Sequence, residues 1–293
     1  MVGVALQQTI NGIVLGSLYV LVALGLTLIY GVLVQINFAH ADVVTIGAFA
    51  AYFFTFALGG NYLVSIAVAL VIGAALGWLV NAAIFAPLRG RSELLPLIAT
   101  IGVSILLQNA MLLAFGPIPY AFDSPYSNSV IRLWGGTFIT RQNLIIITVS
   151  AVTIGLLYAF MKFTFMGKAL RAVAQDRETA GLMGINPNQL VMLTFVIASA
   201  LAGMGGAMLG PILVLTPFAG TSVIVKAFAI VIIGGFGNVE GTIIAGLLVG
   251  LIESYTTQLL DPGLTDIVVF GLLLLMLALR PTGLIAERRE ENV

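Results

Sequence analysis

The sequence predicts an all-α, polytopic membrane protein with about eight to ten transmembrane or broken helices. Two observations predict this class. Of the 293 residues, 60% are hydrophobic and only 8% are charged, whereas soluble domains carry about 25% charged residues. Strongly apolar runs also recur from end to end, and several reach the roughly 20 residues that a helix needs to cross a hydrocarbon core. We therefore expect a single transmembrane domain over residues 1–293.

Apolar runs between polar, Gly and Pro interruptions predict the individual helices. The run at 222–236 is short for a full crossing and is followed at once by GGFGNVEG, which indicates half of a broken helix. A polar interruption at 35–48 in the first half and this Gly-rich one at 234–241 in the second are typical of a repeat-built transporter. The predicted spans are residues 9–30, 41–58, 62–86, 94–115, 142–161, 190–215, 222–236, 240–260 and 264–280.

Glycines spaced four residues apart occur in four of these spans. Such pairs let helix backbones approach closely in lipid, so they predict helix packing rather than chemistry. The pairs are Gly12 and Gly16, Gly73 and Gly77, Gly206 and Gly210, and Gly246 and Gly250.

Lys and Arg in the connections predict the orientation, because cytoplasmic loops are enriched in both. Nine of these residues fall on one side of the predicted spans and two, Arg132 and Arg141, on the other. The N-terminus is therefore predicted outside and the C-terminus in the cytoplasm. The nine are Arg89, Arg91, Lys162, Lys168, Arg171, Arg177, Arg280, Arg288 and Arg289.

A cytoplasmic segment at about 162–189 connects two predicted spans. Within it, GKALRAVAQDRETAGLMG at 167–184 alternates charged and apolar residues at helical spacing and predicts one short amphipathic helix. The following helix is predicted to begin at Asn186 as the N-cap, with Pro187 in the first position and Gln189 in the third.

Several chemistries find no support in the sequence. The formal net charge is zero, so no strongly basic surface indicates nucleic acid. The chain has no cysteine, and its one histidine, His40, has no second histidine for a zinc site. A phosphate loop is excluded around Gly167, since Lys162 and Ala169 stand where that motif needs Gly and Ser or Thr. We expect no cofactor in this chain, so ATP and Mg²⁺, if used, bind at another subunit.

The stretch QINFAHAD at 35–42 has three interpretations. Asn37 or Asp42 could cap the helix that begins near 41, with His40 satisfying a freed carbonyl. His40 and Asp42 could instead form a proton relay. In the third interpretation these side chains line a substrate path as neutral hydrogen-bonding groups. A relay usually needs more ionisable groups in series, so the structural and pathway roles rank above it.

Four charged residues lie in or beside predicted spans, where an ionised group costs about 2.5 to 3.5 kcal/mol at the bilayer centre. Asp42 and Glu240 are next to predicted ends and are as consistent with an interfacial position as with function. Lys226 is predicted to reach the outer interface with its long side chain. Glu253 lies deeper, which favours a polar cavity around it.

Seven motifs occur together in this chain, and their order and spacing are specific. With them, the chain resembles the permease subunits of branched-chain amino acid ABC importers, of the LivH-like type, over nearly its whole length. It differs from the usual pattern at Ala41, Phe236, Asn238 and Glu240. The motifs are INFAHAD at 36–42, GAFAAY at 47–52, APLRG at 86–90, LIATIGVSILLQN at 97–109, GKALRAVAQD with LMGIN ending at 186, GGFGN at 234–238 and LRPTGL at 279–284.

The resemblance implies a pore subunit in the cytoplasmic membrane of a bacterium or archaeon. It implies three kinds of partner besides membrane lipid: a second related permease, two cytoplasmic ATPase subunits that bind ATP and Mg²⁺, and an extracytoplasmic substrate-binding protein. It also implies that the cytoplasmic segment docks on an ATPase. The residues expected in that contact are Arg171, Asp176, Arg177, Glu178, Gly184 and Ile185.

The function expected from the resemblance is inward transport of branched-chain or similar hydrophobic amino acids. Related permeases carry urea or short-chain amides, which remain alternatives for the substrate. A carrier or channel driven by an ion gradient is the rival from another class, and an intramembrane enzyme is the weakest, because no catalytic constellation is present. The predicted transport-pathway residues are Asn37, His40, Asp42, Gly235, Gly237, Asn238 and Glu253.

Overall fold

The computed structural model describes residues 2–92, 94–133, 136–260, 262–280 and 282–285, so Arg288 and Arg289 lie outside the described residues. Within these ranges the chain is almost entirely helical, which confirms the predicted fold class. The helices are α1 Val2–Leu33, α2 His40–Phe56, α3 Tyr62–Val80, α4 Leu94–Phe115, α5 Arg141–Phe163, α6 Phe165–Gln175, α7 Arg177–Leu182, α8 Pro187–Leu209, α9 Ala219–Gly234, α10 Val239–Leu259 and α11 Thr265–Leu279.

Shorter elements complete the described part of the chain. A π-helical turn, Asn81–Phe85, extends α3, and a 3₁₀ turn, Pro262–Leu264, precedes α11. Between α4 and α5, β1 (Val130–Arg132) and β2 (Phe138–Thr140) form an antiparallel hairpin in which Ile131 lies opposite Ile139.

Seven helices of the described chain are long and apolar enough to cross a membrane. The other two apolar helices are shorter: α2 has 17 residues and α9 has 16. The predicted span at 190–215 is too long, because α8 ends at Leu209. Pro211 follows almost at once, and proline cannot continue the hydrogen-bonding pattern of a helix. Residues 210–218 are not helical, and Leu215 within them pairs with Tyr120 through backbone hydrogen bonds of 2.9 and 3.1 Å.

Of the glycines predicted to pack helices, all but Gly210 are at helix crossings; Gly210 follows the end of α8 and faces the side chain of Phe122. A Cβ atom on Gly12 would lie 2.7 Å from the Cα atom of Leu251, and one on Gly16 would lie 2.9 Å from that of Leu247. Real Cβ atoms do not approach so closely, so the α1–α10 contact requires glycine. Gly73 on α3 makes an equally close approach to the backbone of α8.

Two halves of the bundle repeat one arrangement in opposite directions. In the first, α1 is followed by a break at 34–39, the short helix α2 and then α3. In the second, α8 is followed by a break at 210–218, the short helix α9 and then α10. Gly25 faces Ala198 and Gly205 faces Val22, so α1 and α8 run antiparallel. Inverted halves with interrupted helices are typical of transporters.

The counterpart of the break at 34–39 is therefore 210–218, whereas the sequence indicated 234–241. Those later residues form the turn between α9 and α10. The sequence could not distinguish the two segments, because a Gly-rich turn and a Pro-containing break interrupt an apolar run in the same way.

Candidate functional site

The polar residues before and within the first turn of α2 are buried. Asn37, His40 and Asp42 are each at most 2% exposed. The interpretation in which Asn37 or Asp42 caps α2 is wrong, because in the described structure no side chain caps α2, whose N-cap residue is Ala39. Backbone amides of the first turn instead bond to the carbonyls of residues 37–39, so the side chains of Asn37 and Asp42 are free for other contacts.

His40 fits between α1 and α8. Its Nε2 atom lies 3.3 Å from the carbonyl oxygen of Val22 in the middle of α1. A Cβ atom at Gly25 would lie 2.8 Å from both Cε1 and Nε2 of the ring, so glycine is needed beside the imidazole. The hydrogen bond to a carbonyl was expected, but Val22 lies within a continuous helix and its carbonyl is not freed by a break.

A polar stripe on α4 faces the start of α2. Thr100, Ser104 and Gln108 follow each other at intervals of four residues, which places them on one side of the helix. Gln108 donates to Ser104 at 3.1 Å, and the backbone amide of Phe38 lies 3.4 Å from the hydroxyl oxygen of Thr100. The carboxylate of Asp42 interacts with Ser104 and Gln108. Sequence reasoning missed this stripe, although its four-residue spacing in an apolar helix was a usable signal.

Three buried atoms at this place have no hydrogen-bond partner among the described residues. They are Oδ1 of Asn37, Nδ1 of His40 and Oδ2 of Asp42. Buried polar atoms are normally paired with protein or water. Three unpaired atoms within six residues therefore mark a polar spot that can accept water or a polar ligand.

The short helix α9 begins against the first turns of α2. The backbone amide of Gly220 donates to the hydroxyl of Thr45 at 2.9 Å, and Gly220 lies directly against the carbonyl of Ala41. The N-terminal turns of the two short helices thus meet inside the bundle, where both present positive dipole ends. Thr45 and Gly220 were not identified from the sequence.

Gly235, Gly237 and Asn238 form the turn between α9 and α10. Both glycines have positive φ angles of 105° and 78°, which favour glycine. Asn238 caps α10, since its Oδ1 atom accepts from the amide of Gly241 at 2.8 Å. The side chain of the neighbouring Phe236 borders a small cavity together with Gln35 and Ile36. The two predicted interruptions therefore lie side by side, although Asn238 also has a structural role.

Glu253 and Lys226 form an ion pair inside the bundle. Their oxygen and nitrogen atoms are 2.6 Å apart, and the side chains are only 13% and 14% exposed. Tyr19 donates to Glu253 at 3.1 Å, and Asp266 lies 3.4 Å from Lys226. Lys226, predicted to extend to the outer interface, is bound by a carboxylate on α10 and one on α11, and its position relative to the membrane stays a prediction. Glu240, in contrast, is exposed at the start of α10.

The segment at about 162–189, predicted to be cytoplasmic, contains two helices rather than the single helix predicted. The first helix ends before Asp176, which is the N-cap of the second. Its Oδ1 atom accepts from the backbone amides of Glu178 at 2.9 Å and Thr179 at 3.0 Å. Hydrogen bonds from Thr179 hold the pKa of Asp176 below its ordinary value. The N-cap aspartate was a sequence signal for this break. The predicted start of the next helix is confirmed, because the Asn186 side chain caps α8.

The predicted coupling residues are distributed unevenly over this segment. Arg171 donates to the carbonyl of Met161 at the end of α5, so its guanidinium turns back toward its own chain. Gly184, with φ of 82°, and Ile185 lie in the turn before α8. Sequence reasoning missed Leu182 and Met183, which are 85% and 79% exposed at the end of α7.

Within the part of the chain that the structure describes, residues that could hold a metal ion do not cluster. In the described ranges, no group of three or more His, Asp or Glu side chains is arranged around a common point. The site therefore consists of neutral polar groups, one buried carboxylate at Asp42 and the Lys226–Glu253 pair.

Comparison with known proteins gives the family. A family model described as branched-chain amino acid transport system, permease component, matches residues 8–277. The chain belongs to this family. The resemblance inferred from the motifs is thereby confirmed, and the chain is a multi-pass membrane protein of the permease type.

Individual members of the family match over nearly their whole length. The high-affinity branched-chain amino acid transport system permease protein LivH of Escherichia coli is 36% identical, over 98% of this chain and 97% of the relative. BraD of Pseudomonas aeruginosa, with the same description, is 34% identical over 98% of each chain. The permease protein LivM of Escherichia coli is 23% identical over 97% of this chain and 72% of its own.

Proposed function

We propose that this chain is the pore-forming permease subunit of an ABC importer that moves branched-chain or similar hydrophobic amino acids into the cytoplasm. The observation that carries the proposal is the family match over residues 8–277, together with relatives of the same description that align from end to end. Separate ATPase subunits bind ATP and Mg²⁺ and supply the energy. A binding protein outside the membrane delivers the substrate, and a second, related permease completes the pore.

The polar spot at the start of α2 supports a role in the transport path. A zwitterionic amino acid needs hydrogen-bonding partners for its charged ends and apolar walls for its side chain. Asn37, His40 and Asp42 offer unpaired buried polar atoms where α2 and α9 meet. Because inverted halves of a transporter commonly bind substrate at their interrupted helices, this is the place where we expect substrate to pass.

The turn at Gly235, Gly237 and Asn238 borders the same region, and Glu253 lies in the neighbouring ion pair. We assign the turn to the movement of α9 and α10 during alternating access. We assign Glu253 to the polar lining, where its free Oε2 atom can accept a hydrogen bond.

The α6–α7 segment is the proposed contact with the ATPase. Its apolar residues Ala169, Leu170 and Val173 pack inward, while Asp176, Arg177 and Glu178 lie at the break between the two helices. A rigid pair of helices fixed to α8 by capping at Asn186 can transmit a push from the ATPase into the bundle.

The test is co-purification combined with uptake by vesicles. A tagged chain, expressed with its neighbouring genes, should be purified together with ATPase subunits. Vesicles containing the assembly should accumulate leucine or isoleucine only when ATP is supplied on the side of the membrane that carries the ATPase subunits. Purification without any ATPase subunit, with uptake that persists when ATP is absent, would contradict the proposal and favour a carrier driven by an ion gradient.

A further inference from the structure

The connection between α3 and α4, which carries Arg89, lies near the start of α8. Leu88 in this connection packs against an apolar cluster that includes Val191, in the first turns of α8. From the other side, Arg177 at the start of α7 donates to the side chain of Asn188 at 2.9 Å. Two arginines from different connections therefore flank the same helix end.

Arg89 is held in position by the bundle. Its Nη2 atom donates to Oδ1 of Asn81 at 3.2 Å, and Asn81 is itself buried in the π-helical turn that extends α3. Its Nε atom is buried and has no hydrogen-bond partner among the described residues. Burial of the guanidinium, and secondly the positive charge of Arg177, lower the pKa of Arg89. Both arginines nevertheless stay protonated, since an arginine does not lose its proton in proteins.

The two positive charges have no acidic partner in the described part of the chain, where the ion pairs are those of Lys226. Asp176 precedes Arg177 in sequence, but its carboxylate accepts hydrogen bonds from the backbone amide of Glu178 and the hydroxyl of Thr179. Neighbouring like charges repel, and an anion between them offsets that cost. Carboxylates suit such a place because a guanidinium binds them through two parallel hydrogen bonds.

We propose that Arg89 and Arg177 form a two-arginine site for an acidic side chain of the cytoplasmic ATPase subunit. The α3–α4 connection then docks on the ATPase together with the α6–α7 segment. This inference rests on the proposed function and adds a second docking element to it.

The direction of the neighbouring apolar side chains identifies a protein as the partner. Ala180 packs against the bundle near Leu190, and Leu182, two residues later, lies on the opposite side of α7. Leu182 and Met183 therefore extend away from the bundle and are strongly exposed. A single protein partner can both cover this apolar tip and supply the carboxylate that the arginines lack.

The test uses the complete importer in vesicles and a matched control in the same connection. Arg89→Glu should weaken the association of the ATPase roughly tenfold, as expected for the loss of one charged contact at an interface. The rate of ATP hydrolysis that the substrate-loaded binding protein stimulates should fall in parallel. Arg91→Glu makes the same change of charge two residues away on an exposed side chain and should stay within about twofold of the original protein. Arg89→Gln, which retains a donor for Asn81, covers the case in which Arg89→Glu does not fold.

Three results would overturn the inference. The first is normal association and coupling in both Arg89 variants. The second is an effect of Arg89→Glu that appears in vesicles with anionic phosphatidylglycerol and vanishes in neutral phosphatidylcholine, which would identify a lipid phosphate as the ligand. The third is the same loss of ATPase association after removal of residues 286–293, which carry three glutamates. That result would identify the chain's own C-terminal carboxylates as the ligand of the arginines. If the unmodified chain itself binds no ATPase, the proposed function fails; if it does and the Arg89 variants behave normally, only this inference fails.

Discussion

At the scale of single residues, the start of α2 combines complete burial with incomplete hydrogen bonding. His40 is fully buried and bonds to the Val22 carbonyl through one ring nitrogen, while the other nitrogen has no partner in the described structure. Asp42 finds its partners on α4. An apolar side chain at either position would be simpler to bury, so the polar side chains are better explained by a polar path than by packing.

His40→Gln tests whether this histidine transfers protons. A glutamine amide can donate to the Val22 carbonyl, so we expect uptake within a few-fold of the original protein and an unchanged pH profile between pH 5 and 8. His40→Leu removes the donor and should lower activity or stability further, by about 1–3 kcal/mol for an unpaired buried group. Loss of uptake in a folded His40→Gln variant, or a flattened pH profile, would instead support proton transfer.

At the scale of elements, the helices are joined by two kinds of contact. Glycine crossings set α1 against α10 and α3 against α8 at close range. Polar contacts then connect the short helices to their neighbours, through Asp42 from α2 to α4 and through Lys226 from α9 to α10 and α11. The close crossings are suited to a rigid frame, and the polar contacts are suited to the parts that move.

The Lys226–Glu253 pair gives a prediction about the α9–α10 contact. Lys226→Met leaves Glu253 nearly buried without its counter-charge, which we expect to destabilise the protein by about 3 kcal/mol. Combining it with Glu253→Gln should recover most of that loss, because no charge is then left unpaired. Thermal unfolding of the purified single and double variants measures the coupling. Losses that simply add in the double variant would show that the two side chains act independently.

At the scale of the whole molecule, the inverted halves place both breaks inside one bundle. The α6–α7 segment and the α3–α4 connection both lie near the start of α8, where Arg177 donates to Asn188 and its positive charge acts on Arg89. The connection between α2 and α3, with the exposed Leu58, is predicted on the opposite side of the membrane. This orientation rests on the distribution of Lys and Arg and remains a prediction.

Cysteine labelling tests the orientation directly, since the chain has no cysteine of its own. Leu182→Cys and Leu58→Cys introduce single thiols at strongly exposed positions. In intact spheroplasts, a membrane-impermeant maleimide should label position 58 and leave position 182 unlabelled until the cells are opened. The reverse pattern would invert the orientation and place the α6–α7 segment outside the cell.

Local features were the predictable part of this fold. The apolar runs gave most helix ends to within a few residues, although α1 begins well before the predicted residue 9 and α8 ends well before the predicted residue 215. The capping pattern at Asn186 gave the start of α8. Features that depend on one helix facing another were not predictable. Asp42 and Ser104 are 62 residues apart in sequence, and nothing near either residue indicates which side of its helix will face the other.

The sequence by itself determined the fold class, most helices, the glycine crossings and the family, because hydrophobicity, capping and motifs are properties of short stretches of chain. Only the tertiary structure decided that 210–218 is the counterpart of 34–39, that Lys226 pairs with Glu253, and that Arg89 lies within electrostatic range of Arg177. These outcomes depend on the rotation and depth of each helix in the bundle. Rotation and depth are fixed where helices from distant parts of the chain cross closely, so the local sequence around each residue does not indicate them.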